Sequence, residues 1–166
     1  MSGADPANPG VSALDLSMME RALQLADQAA SLGEVPVGAV VYRTADGTIL
    51  GEGFNRREID KDPAAHAEFA AIMAACKAIG DWRLNDCSLA VTLEPCPMCA
   101  GLIVNARVGR VLYGADDPKA GACRSLFAIA TDARLNHRAE LIAGVMAEES
   151  ASKLRAFFRE LRARGG

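Results

Sequence analysis

Four side chains in this sequence are of the kinds that bind a metal and move a proton, and they fall in two short stretches. The first is His66-Ala67-Glu68. The second, residues 92–101, reads Thr-Leu-Glu-Pro-Cys-Pro-Met-Cys-Ala-Gly and places Cys96 and Cys99 three apart. Zinc favours thiolate and imidazole ligands in tetrahedral geometry, and a catalytic site uses three protein ligands with the fourth position left to water. His66, Cys96 and Cys99 are such a set. Glu68 decides the chemistry, because a structural zinc has no use for a free carboxylate beside its histidine. A hydrolytic zinc needs one, to take a proton from water and pass it to a leaving group. Attack of water on an electrophilic carbon with departure of an amine is the reaction these residues suit.

Each stretch alone has a plainer reading. A Cys-x-x-Cys pair in an α/β protein also serves as a redox couple. A His-x-Glu triplet is most often a surface helix. A structural zinc completed by His137 or Cys123 is a further alternative. The two stretches together, each at the start of a helix, favour the metal.

The elements that must position them follow from local patterns. Ser17-Met18-Met19-Glu20 reads as a capping box opening the first helix, with Met19, Leu23, Ala26 and Ala30 as its apolar stripe and Gly33 as its stop. Valine-rich residues 35–43, the turn Ala45-Asp46-Gly47 and residues 48–54 form a hairpin. Residues 55–62 read as a charged loop. Asp62-Pro63 reads as an N-cap with proline at the first helical position, so the second helix spans residues 63–79 with His66 and Glu68 in its first turn. There the positive helix end favours an ionised carboxylate, as it favours thiolate at Cys96 and Cys99. Residues 88–93 form a strand, residues 98–106 a helix and residues 108–113 a strand, which makes a parallel crossover. A short helix over residues 125–130, a weak strand over 141–145 and a last helix over 146–164 complete the chain. The alternation predicts a three-layer α/β/α sandwich. Residues 12–166 form one domain, and residues 1–11, with Pro6, Asn8, Pro9 and Gly10, a disordered leader.

Composition narrows the setting. No apolar run approaches the roughly 20 residues of a membrane helix, and the N-terminus lacks the basic region of a signal peptide. Five cysteines fit reduced thiols in a cytoplasmic protein better than a disulfide framework. A formal net charge of -3 argues against a partner held by bulk electrostatics, such as long duplex nucleic acid. A local basic patch at Lys153, Arg155, Arg159, Arg162 and Arg164 leaves room for a small nucleic-acid target.

The combination of His-Ala-Glu with Pro-Cys-x-x-Cys is the established signature of zinc deaminases acting on bases. More broadly, residues 18–162 resemble the bacterial tRNA-specific adenosine deaminases of the cytidine-deaminase-like superfamily. The matching motifs are Val35-Pro36-Val37-Gly38-Ala39, Gly53-Phe54-Asn55-Arg56, Ala65-His66-Ala67-Glu68, residues 91–101, Gly114-Ala115 with Asp117, and Leu135-Asn136-His137-Arg138. The resemblance implies a mixed five-stranded sheet flanked by helices, a homodimer, one Zn2+ per subunit, and conversion of the wobble adenosine of a tRNA anticodon stem-loop to inosine. It implies that His66, Cys96 and Cys99 bind the zinc and that Glu68 shuttles protons. Asn55 then hydrogen-bonds the target nucleotide, and Asp117 meets the ribose of the preceding one, where a 2′-hydroxyl distinguishes RNA from DNA. By themselves Asn55 and Asp117 read as turn residues. Phe157, Phe158 and Arg159 match an RNA-facing segment in which an aromatic ring stacks on a base and arginine meets phosphate; their plain reading is core and solvated face. Arg124, where relatives often carry glycine, and Asp116, an added negative charge, depart from the pattern. A deaminase of free guanine, cytosine or cytidine is the runner-up. A non-catalytic zinc module that binds RNA or a partner is the reading of a different class.

Overall fold

The computed structural model describes Asp5 and residues 7–165. Helix α1 (Ala13–Ser31) leads into the hairpin of β1 (Gly38–Arg43) and β2 (Ile49–Phe54). A single turn, α2 (Arg57–Asp60), precedes α3 (Ala67–Ile79). Strand β3 (Cys87–Leu93), α4 (Pro97–Asn105) and β4 (Arg110–Ala115) form the crossover, and β5 (Glu140–Ala143) and α5 (Ala147–Gly165) close the chain. The strands lie in the order β2-β1-β3-β4-β5. β1 is antiparallel to both β2 and β3, whereas β3, β4 and β5 run parallel. This is the mixed five-stranded α/β sandwich expected.

Strand alternation builds the layers. Ala39, Val41, Leu89, Val91 and Val111 face one core with Ala71 and Ile72 of α3 and Ile103 of α4. Val40, Tyr42, Ala90 and Leu112 face another with Met19, Ala22 and Leu23 of α1. Both faces of the central strands are therefore covered, which is why they read as continuous apolar runs. Helix α3 lies directly on β2. A Cβ at Gly51 would fall 2.1 Å from the Ala71 carbonyl oxygen, and one at Gly53 2.4 Å from that of Ala67. Only glycine permits that approach, and it sets the depth of the helix start that carries His66 and Glu68.

Several boundaries differ from the sequence reading. Helix α1 begins after Ser12, not at Ser17. The capping box is Ser12 with Asp15, while the Ser17 hydroxyl donates to the Leu14 carbonyl from inside the helix. Asp15 is buried against Tyr42 and Arg110, so tertiary contacts choose between two boxes of equal local merit. Helix α3 begins at Ala67 with His66 as its N-cap, because the Asp62 carboxylate accepts from the Ala64 amide in a turn of its own. The expected charged loop contains α2. The short helix expected over residues 125–130 is a 3-10 turn at Ile129–Thr131. In the expected leader, residues 1–4 and 6 lie outside the described residues. Its far end is ordered: Val11 is 1% exposed in the α1 core and the Asn8 amide donates to the Ala143 carbonyl. All five cysteines are free thiols.

Candidate metal centre

The centre lies past the carboxyl end of β3, where the N-termini of α3 and α4 meet. His66 and Cys96 are the N-caps of these two helices, both with extended backbone (φ -86, ψ 153 and φ -74, ψ 173). Pro97 at the start of α4 fixes the turn after Cys96. An N-cap points its side chain off the helix axis, which brings residues from two helices to one point. Nδ1 of His66 lies 3.5 Å from Sγ of Cys96 and 3.6 Å from Sγ of Cys99. Zinc–sulfur and zinc–nitrogen bonds of usual length, set at the tetrahedral angle, give an S···N edge of about 3.6 Å. The three donor atoms lie within 4.8 Å of one another and form the His/Cys/Cys group that could hold a metal ion. Donor type and spacing both fit zinc. His137 is not part of the group, since its Nε2 lies 2.6 Å from the Val108 carbonyl oxygen.

Electrostatics favour a cation here. The Cys99 thiol, against the opposing effect of burial and with help from His66, holds Cys96 as thiolate at about 4. Cys99 is pushed up by Cys96 and by its own burial, so the pair keeps one proton between them. The Cys96 sulfur likewise raises His66. Glu68, in the first turn of α3, is 4% exposed. Burial pushes its carboxyl up to about 7, against the pull of its own backbone amide and of His66. That value suits a group that takes up and releases protons near neutrality.

A cavity of roughly 200 Å³ opens above the centre, and His66, Cys96 and Glu68 line it. Asn55 and Asp117 line it too, so the structure gathers five of the sequence-selected residues on one hollow, with Cys99 buried beneath. Val35, Val37 and Leu93 give it apolar walls. The Asn55 amide donates to the Val35 carbonyl and accepts from the Arg57 amide. Asp117 is also the turn former its sequence suggests, since Oδ1 accepts from the amides of Lys119 and Ala120.

Glu94 organises that turn. Its carboxylate accepts from the amides of Asp117, Cys123, Arg124 and Ser125 and from the Ser125 hydroxyl. Burial raises this carboxyl, but these donors outweigh it and hold it low. No local sequence signal announces these donors, which come from four residues 23 to 31 positions further along the chain. Arg57, from the stretch whose sequence reads as a charged loop, also lines the cavity.

Phe157, Phe158 and Arg159 do not reach this cavity. Phe158 and Arg159 line a separate hollow with Arg155, Arg162 and Lys119. Phe157 is half-buried and packs edge-on against Phe158, ring centroids 5.4 Å apart. Lys119 joins the two hollows in sequence, because it belongs to the same turn as Asp117 and Ala120.

Comparison with known proteins agrees with this chemistry. A model of the MafB19-like deaminase family matches residues 14–162. The chain is 48% identical over 144 residues to the tRNA-specific adenosine deaminase of Bacillus subtilis, covering 87% of this chain and 88% of that one. It is 47% identical over 151 residues to the tRNA-specific adenosine deaminase of Haemophilus influenzae, covering 91% and 87%. A solved structure from work on A-to-I editing by deaminases at the wobble position of transfer RNA superimposes with a TM-score of 0.78 at 42% identity, covering 83% of this chain and 99% of that one.

Proposed function

The chain belongs to the bacterial tRNA-specific adenosine deaminases, and we propose that the cavity over His66, Cys96 and Cys99 is where it converts the wobble adenosine of a tRNA anticodon loop to inosine. The observation that carries this reading is the convergence of three zinc-type donors and a buried carboxylate on one hollow. His66, Cys96 and Cys99 hold one zinc ion per subunit. Zinc, when bound, supplies the Lewis acidity that makes water a nucleophile near neutral pH.

The side chains of this protein do the rest. Glu68 takes the proton that water gives up on attacking C6 of the adenine. It delivers protons to the ring nitrogen and to the departing amine, so water and adenosine become inosine and ammonia. Val35, Val37 and Leu93 exclude bulk water from the base. Asn55, held by the Val35 carbonyl and the Arg57 amide, keeps one N–H and one lone pair for the nucleotide. Asp117 keeps Oδ2 for the 2′-hydroxyl of the preceding ribose, Oδ1 being engaged in its turn. Phe158 offers a face to a splayed base, with Phe157 bracing it, and Arg159 meets phosphate.

An anticodon loop presents its bases unpaired, so little energy is needed to expose the target. That fits a chain of net charge -3 with a local cluster of Lys119, Arg155, Arg159 and Arg162 around one hollow. No helix among the described residues is long and apolar enough to cross a membrane, and the reduced thiols suit a cytoplasmic enzyme. Met98, Leu126, Phe127 and Leu135 are exposed apolar side chains on α4 and beyond β4. A second copy of the chain would cover them, making a homodimer.

The test is incubation of zinc-loaded protein with anticodon stem-loop RNA beside free adenosine, guanine and cytidine, reading inosine and ammonia. Inosine in the stem-loop is the expected product. Ammonia from guanine or cytidine with the stem-loop untouched would establish the free-base reading instead.

A further inference from the structure

Arg57 stands out on the cavity rim. It is the one arginine or lysine among the described residues that line the hollow above the metal centre. The carboxylates beside it are committed elsewhere: Glu94 to its ring of amides, Asp117 Oδ1 to its own turn, and Glu68 to the buried floor. The neighbouring Arg56 is committed too. Its guanidinium donates to both oxygens of Asp60, each at 3.0 Å, and lies 5.6 Å from the Phe54 ring centroid. Among the described residues the Arg57 guanidinium has only Glu58 as an ionic partner, at 3.9 Å, with both side chains more than half exposed. At that distance and exposure the pairing offers little hold, and the guanidinium keeps its donors for an incoming group.

Its backbone is fixed where its side chain is not. The Arg57 amide donates to Asn55 Oδ1 at 3.2 Å. Two residues on, the Ile59 amide donates at 2.7 Å to the buried carboxylate of Glu34, which anchors the same turn from below. The side chain that faces the base and the free cation beside it are thus set by one turn. A nucleotide offers a counterpart to each, a base and a phosphate joined through one ribose.

We infer that Arg57 is a specificity residue that takes a phosphate of the RNA strand flanking the target nucleotide. This inference rests on the proposed tRNA reading. It assigns to Arg57 the discrimination between a nucleotide within a strand and a free base or nucleoside, which have no such phosphate. It adds a cation to the hollow that Asp117 also lines, so the strand meets both a carboxylate and a guanidinium around the flipped base. Arginine suits the task because its planar fork can pair with two phosphate oxygens at once.

The experiment compares wild type, Arg57→Gln and Arg57→Lys, all zinc-loaded, on anticodon stem-loop RNA, adenosine 5′-monophosphate and adenosine over a range of salt. With Arg57→Gln, KM for the stem-loop should rise about 5- to 10-fold while kcat stays within about 2-fold, as for loss of a single phosphate contact. The dependence of log KM on log salt should flatten by about 0.7, the release expected for one contact to a single strand. Arg57→Lys should restore the salt slope and part of the KM. A merely structural role in α2 would change stability or kcat without touching the salt slope. If wild type edits the stem-loop and Arg57→Gln matches it in KM and slope, Arg57 has no such role. If Arg57→Gln weakens adenosine 5′-monophosphate alone, the phosphate belongs to a free nucleotide and the strand contact is wrong. Failure of wild type itself to edit the stem-loop overturns the tRNA reading, and this inference with it.

Discussion

Arg124 closes on Asp116: its Nε donates to Oδ1 at 3.1 Å and its Nη2 to Oδ2 at 3.0 Å, with the Tyr113 hydroxyl donating to the same carboxylate at 2.8 Å. These are the two residues that the sequence sets apart from the resemblance, and they answer each other. Asp116 alone would set a second negative charge beside Asp117, on the rim we propose to face RNA. Arg124, aided by the tyrosine, cancels it and holds the Asp116 carboxyl low. The pair also braces the turn from above, while the Arg124 amide ties it to Glu94 from below.

Removing one partner should therefore hurt more than removing both. Arg124→Ala leaves Asp116 uncompensated, and KM for anticodon stem-loop RNA should rise about 3- to 5-fold with kcat little changed. Both side chains are about half exposed, so the pair itself contributes less than about 1 kcal/mol to folding. Asp116→Asn with Arg124→Ala should return KM to near wild type. Equal KM values for the single and the double variant would show that the charge of Asp116 is not felt at the RNA surface.

The metal centre separates holding the ion from moving the proton. Cys96→Ala, Cys99→Ala and His66→Ala each remove a donor from the S···N set. Each should fall well below one zinc per chain by elemental analysis after dialysis, and lose deamination. Glu68→Gln keeps all three donors and the volume of the side chain. It should retain one zinc per chain and release no ammonia above background, a loss of at least about 100-fold. Full ammonia release by Glu68→Gln would remove Glu68 from the mechanism. A strong chelator should silence wild type, and added zinc should restore it.

Acid should weaken the fold through Asp15. Burial raises this carboxyl, but hydrogen bonds from Arg110, Tyr42 and the Ser12 amide outweigh it and hold it at about 2, below its ordinary 3.8. A carboxyl depressed in the folded state contributes stability that is fully present above its unfolded pKa. That contribution declines as pH falls below about 4 and is gone once pH passes below about 2. A shift of this size corresponds to about 2 kcal/mol. Asp15→Asn should lose about that much at pH 7 by urea unfolding, with the gap to wild type closing between about pH 4 and pH 2. A gap constant with pH would assign the loss to packing, not ionisation.

What the sequence made legible follows from where the information lies. His66, Glu68, Cys96 and Cys99 could be chosen because donor chemistry restricts which residue types serve, and helix starts place them. The layers were legible because strands buried on both faces read as apolar runs and the helices between them do not. The start of α1 was not, since Ser12-x-x-Asp15 and Ser17-x-x-Glu20 are both capping boxes. The choice rests on Arg110, 95 residues from Asp15. The start of α3 was displaced because Asp62 uses its carboxylate on a turn, leaving His66 to cap the helix and face Cys96 and Cys99. Loop partners such as Arg124 with Asp116, or Glu94 with its amides, have no periodicity to announce them. They are set by chain path, which only the fold supplies.

The seat of α3 on β2 gives the last prediction, because it links packing to the site. Gly51 has no room for a methyl group: its Cβ would meet the Ala71 carbonyl oxygen at 2.1 Å and the Ala75 amide nitrogen at 2.7 Å. Both obstacles are backbone, which cannot turn aside as a side chain would. Gly51→Ala must lift α3 from the sheet, at a cost at or above the usual ~1–3 kcal/mol of overpacking. His66 and Glu68 ride on that helix, so zinc content and kcat should fall together with the urea midpoint. Gly101 is the control. It lies within α4, and beyond its chain neighbours and the backbone of its own helix no heavy atom lies within 4 Å of an added Cβ. Gly101→Ala should stabilise by about 0.5–1 kcal/mol, through helix propensity alone, and leave zinc content unchanged. If Gly51→Ala unfolds at the wild-type midpoint, the contact between α3 and β2 is looser than these distances state, and the depth of the metal centre is set by something else.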